Sequence, residues 1–166
     1  MLSPHARADT QASLAWLRGL RAYLGAVAGG NLVWEVLQLP LYTIWQTGTA
    51  REQAFAVVHC TLGDLVIALS TLVLGLVLVG DDSWPRRRFW PVAILTIVLG
   101  VGYTAFSEWL NVVVRAAWAY SELMPVISAV GVTIGLSPLL QWIAVPAAAF
   151  AVARGMTPNP DDGGRA

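Results

Sequence analysis

The chain contains no lysine, one cysteine, two histidines and only 12% charged residues. Each scarcity excludes something. A lone Cys60 rules out an intramolecular disulfide and argues against thiol-relay oxidoreductases, which work through Cys-x-x-Cys pairs. The second histidine, His5, sits in the polar leader, so His59 has no histidine partner for a b-type haem. No cofactor is indicated, and haem is disfavoured. The net charge is zero and the only basic cluster is Arg86, Arg87 and Arg88. That leaves no basic stripe for nucleic acid. A soluble domain carries roughly a quarter charged residues, about twice the share found here. The N-terminal apolar run lacks a small-x-small site followed by polar sequence, so it reads as retained rather than as a cleaved signal. Arginine stands wherever a basic residue occurs, and nothing functional follows from that.

What the chain does have is apolar residues, 57% of the total, gathered in blocks. Blocks of about 20 or more residues are the mark of transmembrane helices. The expected fold is therefore all-α, a four-transmembrane-helix bundle. The expected spans are 19–45, 54–79, 90–114 and 126–153 within a membrane domain 19–153. A leader, 1–18, precedes it. A Gly/Pro/Asp-rich tail, 154–166, follows and is expected to be disordered. No internal repeat is evident, so the inverted-repeat logic of secondary transporters gains no support.

Arginine placement sets the expected orientation. Arg7, Arg18, Arg21, Arg86, Arg87, Arg88, Arg154 and Arg165 fall on one side, against Arg51 and Arg115 on the other. The positive-inside rule then places both termini in the cytoplasm of a bacterial inner-membrane, multi-pass protein. Trp45 and Trp118 fit the outer aromatic belt, and Trp84 and Trp90 the inner one.

Three acids sit inside the apolar blocks: Glu35, Asp64 and Glu108. A charged side chain at the bilayer centre costs about 2.5–3.5 kcal/mol on insertion scales. At 1.5 Å per residue, Glu35 lies ~14 Å from the outer end of its span and Asp64 ~15 Å. Gln38 lies ~9 Å deep, and His59 and Glu108 ~8 Å. Helical spacing puts Asn31, Glu35 and Gln38 on one face, and Thr104, Glu108 and Asn111 on another, flanked by Tyr103. These faces are expected to turn inward, since lipid offers a carboxylate no partner. The expected pocket is Glu35, Gln38, His59, Asp64, Tyr103, Glu108 and Asn111, in the outer half of the bilayer. Trp118, Tyr120 and Glu122 lie in the segment before the last span and are candidates for a lid. Any metal would fall to His59, Asp64 and Glu35, but neither the paired Glu-x-x-His of di-iron bundles nor His-Glu-x-x-His is present. Proline adds irregularity: Pro40, Pro138 and Pro146 each free a carbonyl if they lie inside helices. Gly131 and Gly135 match the G-x-x-x-G packing spacing once.

The segments WEVLQLPLYTIW, HCTLGDL, YTAFSEWLNV, WAYSELMP and SPLLQWIAVP resemble a family of small bacterial four-helix membrane proteins. The resemblance covers most of residues 30–147 and implies the fold but no activity. Glu35 also resembles the single essential first-helix acid of the small multidrug exporters, though this chain is longer and its charge bias stronger. His59, Asp64 and Glu108 are similar in kind to the residues of sterol-isomerase-like bundles, without a spacing that maps any of them.

Three functional readings fit. The pocket binds or conducts a small amphipathic ligand, a proton or a cation. Alternatively, its carboxyls act as acid and base on a lipid or isoprenoid, in an isomerase- or hydratase-like enzyme. Or the chain is a subunit of a homo-oligomer or a larger membrane complex, and the acids pair with a partner. A structural reading stands beside all three: protonated acids simply bonding helix to helix, at about 1 kcal/mol per bond.

Overall fold

The computed structural model describes residues 4–81, 84–129 and 131–156. Side chains of residues 4–15 and 129 are outside that description, as are residues 157–166, where most of the expected disordered tail falls. The described chain is mostly helical. Helix α1 spans Pro4–Gln38, a 3-10 turn Leu39–Leu41, short α2 Ile44–Thr47 and α3 Ala50–Val79. Helix α4 spans Phe89–Glu108 and runs into a π-helical turn, Trp109–Val114. Strands β1 (Val126–Ala129) and β2 (Val132–Gly135) precede α5, Leu136–Gly155. The four long helices form a ring in which α1 neighbours α3 and α5, and α4 neighbours the same two.

Three helices are long and apolar enough to cross a membrane: α3, α4 with its π turn (Phe89–Val114), and α5. Helix α1 has ample length but is more polar, because Asn31, Glu35 and Gln38 occupy its inward face. The outside of the ring is apolar. Leu37 is 72% exposed and Val77 76%, a surface suited to acyl chains rather than water.

Local chemistry moves several boundaries from their expected places. The first helix stops at Gln38 rather than near residue 45. Pro40 disfavours α geometry at Leu39, and the chain tightens into a 3-10 turn. It also starts at Pro4, within the stretch expected as a leader. Helix α3 begins at Ala50 because Thr49 and Glu52 form a capping box. Thr49 Oγ1 accepts from Glu52 N at 3.3 Å, and Glu52 Oε2 accepts from Thr49 N at 2.7 Å.

The largest correction concerns 126–153. Val126–Ala129 and Val132–Gly135 are antiparallel strands rather than helix, with Ile127 opposite Ile134 and Ser128 opposite Thr133. Val126, Ile127, Val132, Thr133 and Ile134 are β-branched and favour a pleated surface. Gly131 takes φ +76° in the turn, and Gly135 caps α5. These glycines therefore serve a turn and a cap, not a helix-packing motif. Pro138 is the third residue of α5, where its missing N–H has no intrahelical partner to lose. Pro146 does lie inside the helix.

The end of the ring nearest residues 80–88 is closely packed. Tyr23 and Phe150 meet at a tilt with ring centroids 4.6 Å apart, and Phe89 meets Phe150 edge-on at 5.8 Å. Helices α3 and α4 touch through Gly75, where an added Cβ would stand 2.8 Å from Thr96 Oγ1 and 3.3 Å from the Val92 carbonyl. Halfway along, the Trp142 ring packs against Gly100, leaving no room for a Cβ there. Gly102 has open space instead. Overpacking a core site costs about 1–3 kcal/mol. Gly100→Leu is therefore expected to lower the unfolding temperature in detergent clearly, while Gly102→Leu leaves it near wild type. Circular dichroism melts of the two variants make the comparison.

Candidate functional site

At the other end, the ring opens into a cleft of about 1340 Å³. Glu35, Gln38, His59, Asp64, Tyr103, Glu108 and Asn111 all line it. They play unequal parts.

The centre of the arrangement is a residue outside that set, Gln141 of α5. Only 2% of it is exposed. Its Nε2 lies 2.9 Å from Asp64 Oδ2, 3.0 Å from Glu35 Oε1 and 3.0 Å from Asn31 Oδ1. Two N–H groups thus serve three acceptors. Its Oε1 accepts from Gln38 Nε2 at 3.2 Å. Gln38 Nε2 also donates to Glu35 Oε1 at 2.8 Å, and Gln38 Oε1 accepts from Ser137 Oγ at 2.9 Å. Ser137 Oγ accepts in turn from Trp34 Nε1 at 3.2 Å. The Glu35 and Asp64 carboxyl groups also meet each other, and the Trp142 indole N–H faces Asp64. One buried network therefore ties α1, α3 and α5 together. Glu35 is 8% exposed and Asp64 9%.

Glu108 belongs to a second cluster on the opposite wall. Tyr120 donates its hydroxyl to Glu108 Oε2 and accepts from the Gly135 N–H at 2.8 Å. Burial pushes the Tyr120 phenol well above its usual range, and Glu108 beside it adds to the effect, so it stays a donor. The Trp118 indole is turned toward Glu108 without closing a hydrogen bond. The Thr104 hydroxyl is buried in the same wall with no partner among the described residues.

The π turn sets the end of this wall. Asn111 Nδ2 donates to the Ser107 carbonyl at 2.9 Å and to Ser107 Oγ at 3.3 Å, so its amide closes the widened turn. Wide turns of this kind are common where a helix carries a site.

Several expectations are corrected. His59 is exposed and stacks on Phe55, with ring centroids 5.5 Å apart. Among the described residues it bonds neither Asp64 nor Glu35. Nor do His59, Asp64 and Glu35 form a metal set: no group of three or more His, Cys, Asp or Glu side chains gathers among the described residues. Glu122 is exposed and does not line the cleft. Trp118 lines the cleft, whereas Tyr120 is not among the lining residues and instead bridges Glu108 and Gly135. Their segment is pinned to the end of α1, with Thr43 N to the Ala119 carbonyl at 3.0 Å and Ser121 N to the Leu41 carbonyl at 2.9 Å. Tyr103 is on the rim, half exposed.

Helical depth alone sets Gln141 apart from the acids. With a helix assumed from 126, residue 141 falls in the inner half of the membrane. The hairpin moves the helix start to Leu136 and brings Gln141 level with Glu35. The available signal was Ser137 and Gln141, two polar residues one turn apart in an apolar run.

No known protein family, curated protein or solved structure matches this chain.

Removing Gln141 leaves three acceptors short of a donor. An interhelical hydrogen bond in a membrane stabilises by about 1 kcal/mol. Gln141→Leu is expected to destabilise the bundle by roughly 2–4 kcal/mol. Ser70→Ala, on the exposed face, should change little. Unfolding in mild detergent tests both; a Gln141→Leu protein as stable as wild type would show that the network does not hold the helices.

Proposed function

We propose that this chain is an integral inner-membrane protein whose carboxylate-lined cleft binds a small amphipathic ligand and exchanges protons with it. The observation that carries this is the volume of the cleft together with its acids. About 1340 Å³ exceeds what a proton path or a bare ion needs, and ligand pockets typically occupy about 300–1,000 Å³. Three buried acids around one hollow are costly to insert, and function explains keeping them. A carboxyl pair in contact shares a proton, which makes Glu35 and Asp64 the proton-exchanging centre. Glu108, held by Tyr120, is the third acid, set apart on the far wall.

The pair and the single acid sit in different surroundings. That difference favours a second reading, in which the same cleft performs acid–base chemistry on a lipid or isoprenoid.

In this reading α1 crosses the bilayer with the three more apolar helices. Its polar face is covered by α3 and α5, which removes the objection to its lower apolarity. Arg18, Arg21, Arg86, Arg87, Arg88 and Arg154 then mark the cytoplasmic end, and the cleft faces outward. In a Cys60→Ser background, a membrane-impermeant maleimide is expected to label Glu122→Cys on intact spheroplasts and to spare Arg86→Cys until lysis. The reverse pattern would invert the topology.

Native mass spectrometry tests the pocket itself. Wild-type protein extracted in mild detergent is expected to retain a non-covalent organic adduct. Glu35→Gln and Asp64→Asn should lose it while eluting like wild type on gel filtration. Bare wild-type protein, or equal adducts on all three, would remove the proposal.

A further inference from the structure

The cleft is not closed on the side between α3 and α4. These helices touch at Gly75, where Thr96 Oγ1 approaches the Thr71 carbonyl at 3.5 Å. Toward the hairpin end they frame the cleft instead. Phe55 and Val66 on α3 and Tyr103 on α4 line it while exposed at 68%, 65% and 49%. Gly63 between them has nothing within 4 Å of an added Cβ. A seam that is tight at one end and parted at the other opens sideways, into what the membrane fills with acyl chains.

The mouth carries charge of one kind available for binding. Arg51 and Arg115 line it, both exposed, and neither makes an ion pair among the described residues. Glu52 is the acid at the mouth, but it is turned to its own helix cap, accepting from Thr49 N at 2.7 Å and Thr49 Oγ1 at 2.8 Å. The deeper acids are engaged by Gln141, Gln38 and Tyr120. A small cation approaching from the water meets two guanidinium groups first. From Arg51 to Ile67, at the inner end of the lining on α3, is ~24 Å of helix, longer than one ~15 Å leaflet.

We infer that the ligand is an amphiphile whose phosphate head carries a net negative charge. Its head rests between Arg51 and Arg115, and its tail enters through the seam between α3 and α4 past Gly63. The inference rests on the proposed ligand pocket and names the chemistry of its occupant. Planar guanidinium groups suit a phosphate's oxygens, and basic residues at a membrane surface attract anionic heads. The tail meets Phe55, Val66 and the open face at Gly63.

The test uses the whole protein in phosphatidylcholine nanodiscs. These are doped with phosphatidic acid or phosphatidylcholine carrying the same diazirine tail. After photolysis, labelled peptides are mapped. The expected result is tail labelling within 55–67 and 103–111, with phosphatidic acid favoured about tenfold. Arg51→Gln with Arg115→Gln should abolish that preference. Gly63→Trp has room to fold and should fill the seam, cutting labelling by either probe. Equal labelling by the two lipids, or a preference that survives loss of both arginines, overturns the inference. So does labelling confined to the outer helix faces. Competition by millimolar inorganic phosphate would show that the arginines bind free phosphate, which also overturns it; none is expected. An adduct that depends on Glu35 and Asp64, found without this lipid preference, would leave the pocket standing and remove only its assigned occupant. Loss of both results would remove both.

Discussion

A buried carboxylate without a donor is the costliest group this bundle could contain, and the Gln141 side-chain amide answers that cost. From α5 it reaches Asn31 and Glu35 on α1 and Asp64 on α3. Apolar packing between membrane helices is weakly selective, because lipid tails are as apolar as leucine. Polar contacts with defined geometry therefore decide which faces meet. Here they fix the rotation of α1, α3 and α5 about their axes. That in turn leaves Glu108 facing them from α4 across the hollow.

The bundle divides into two halves with different physics. Near residues 80–88, aromatic side chains and glycine contacts close the ring, as Tyr23, Phe89 and Phe150 show. At the hairpin end, short irregular elements hold the helix tips apart. The 3-10 turn follows Gln38, the π turn follows Glu108 and the strands precede Leu136. Their loose ends are tied together instead: Ser121 Oγ donates to the Pro40 carbonyl at 2.9 Å, and Tyr120 spans Glu108 and Gly135. A tight base and a braced open end give a cleft with fixed walls. Walls that need no rearrangement lower the entropy cost of admitting a guest.

Composition alone was enough to mark a membrane protein, since apolar blocks of this length have few other uses. Helical spacing was also enough to group Asn31, Glu35 and Gln38 on one face, and Thr104, Glu108 and Asn111 on another, because a helix repeats every 3.6 residues whatever surrounds it. The strands at 126–129 and 132–135 were harder to read. In a continuous apolar run, strand and helix share the same hydrophobicity, and only β-branching and glycine separate them. His59 lines the cleft but its ring stacks on Phe55, because proximity to Asp64 along the chain says little about direction.

The sequence by itself determined that acids would lie within apolar helices and on which helical faces, because both follow from local order along the chain. Only the tertiary structure decided which donor would answer them. The start of α5 depends on the hairpin ahead of it, and the level of Gln141 depends on that start. The parting of α3 from α4 depends on where glycine lets them touch. These are distances between segments remote in sequence, set by how whole elements pack, and no local pattern encodes them.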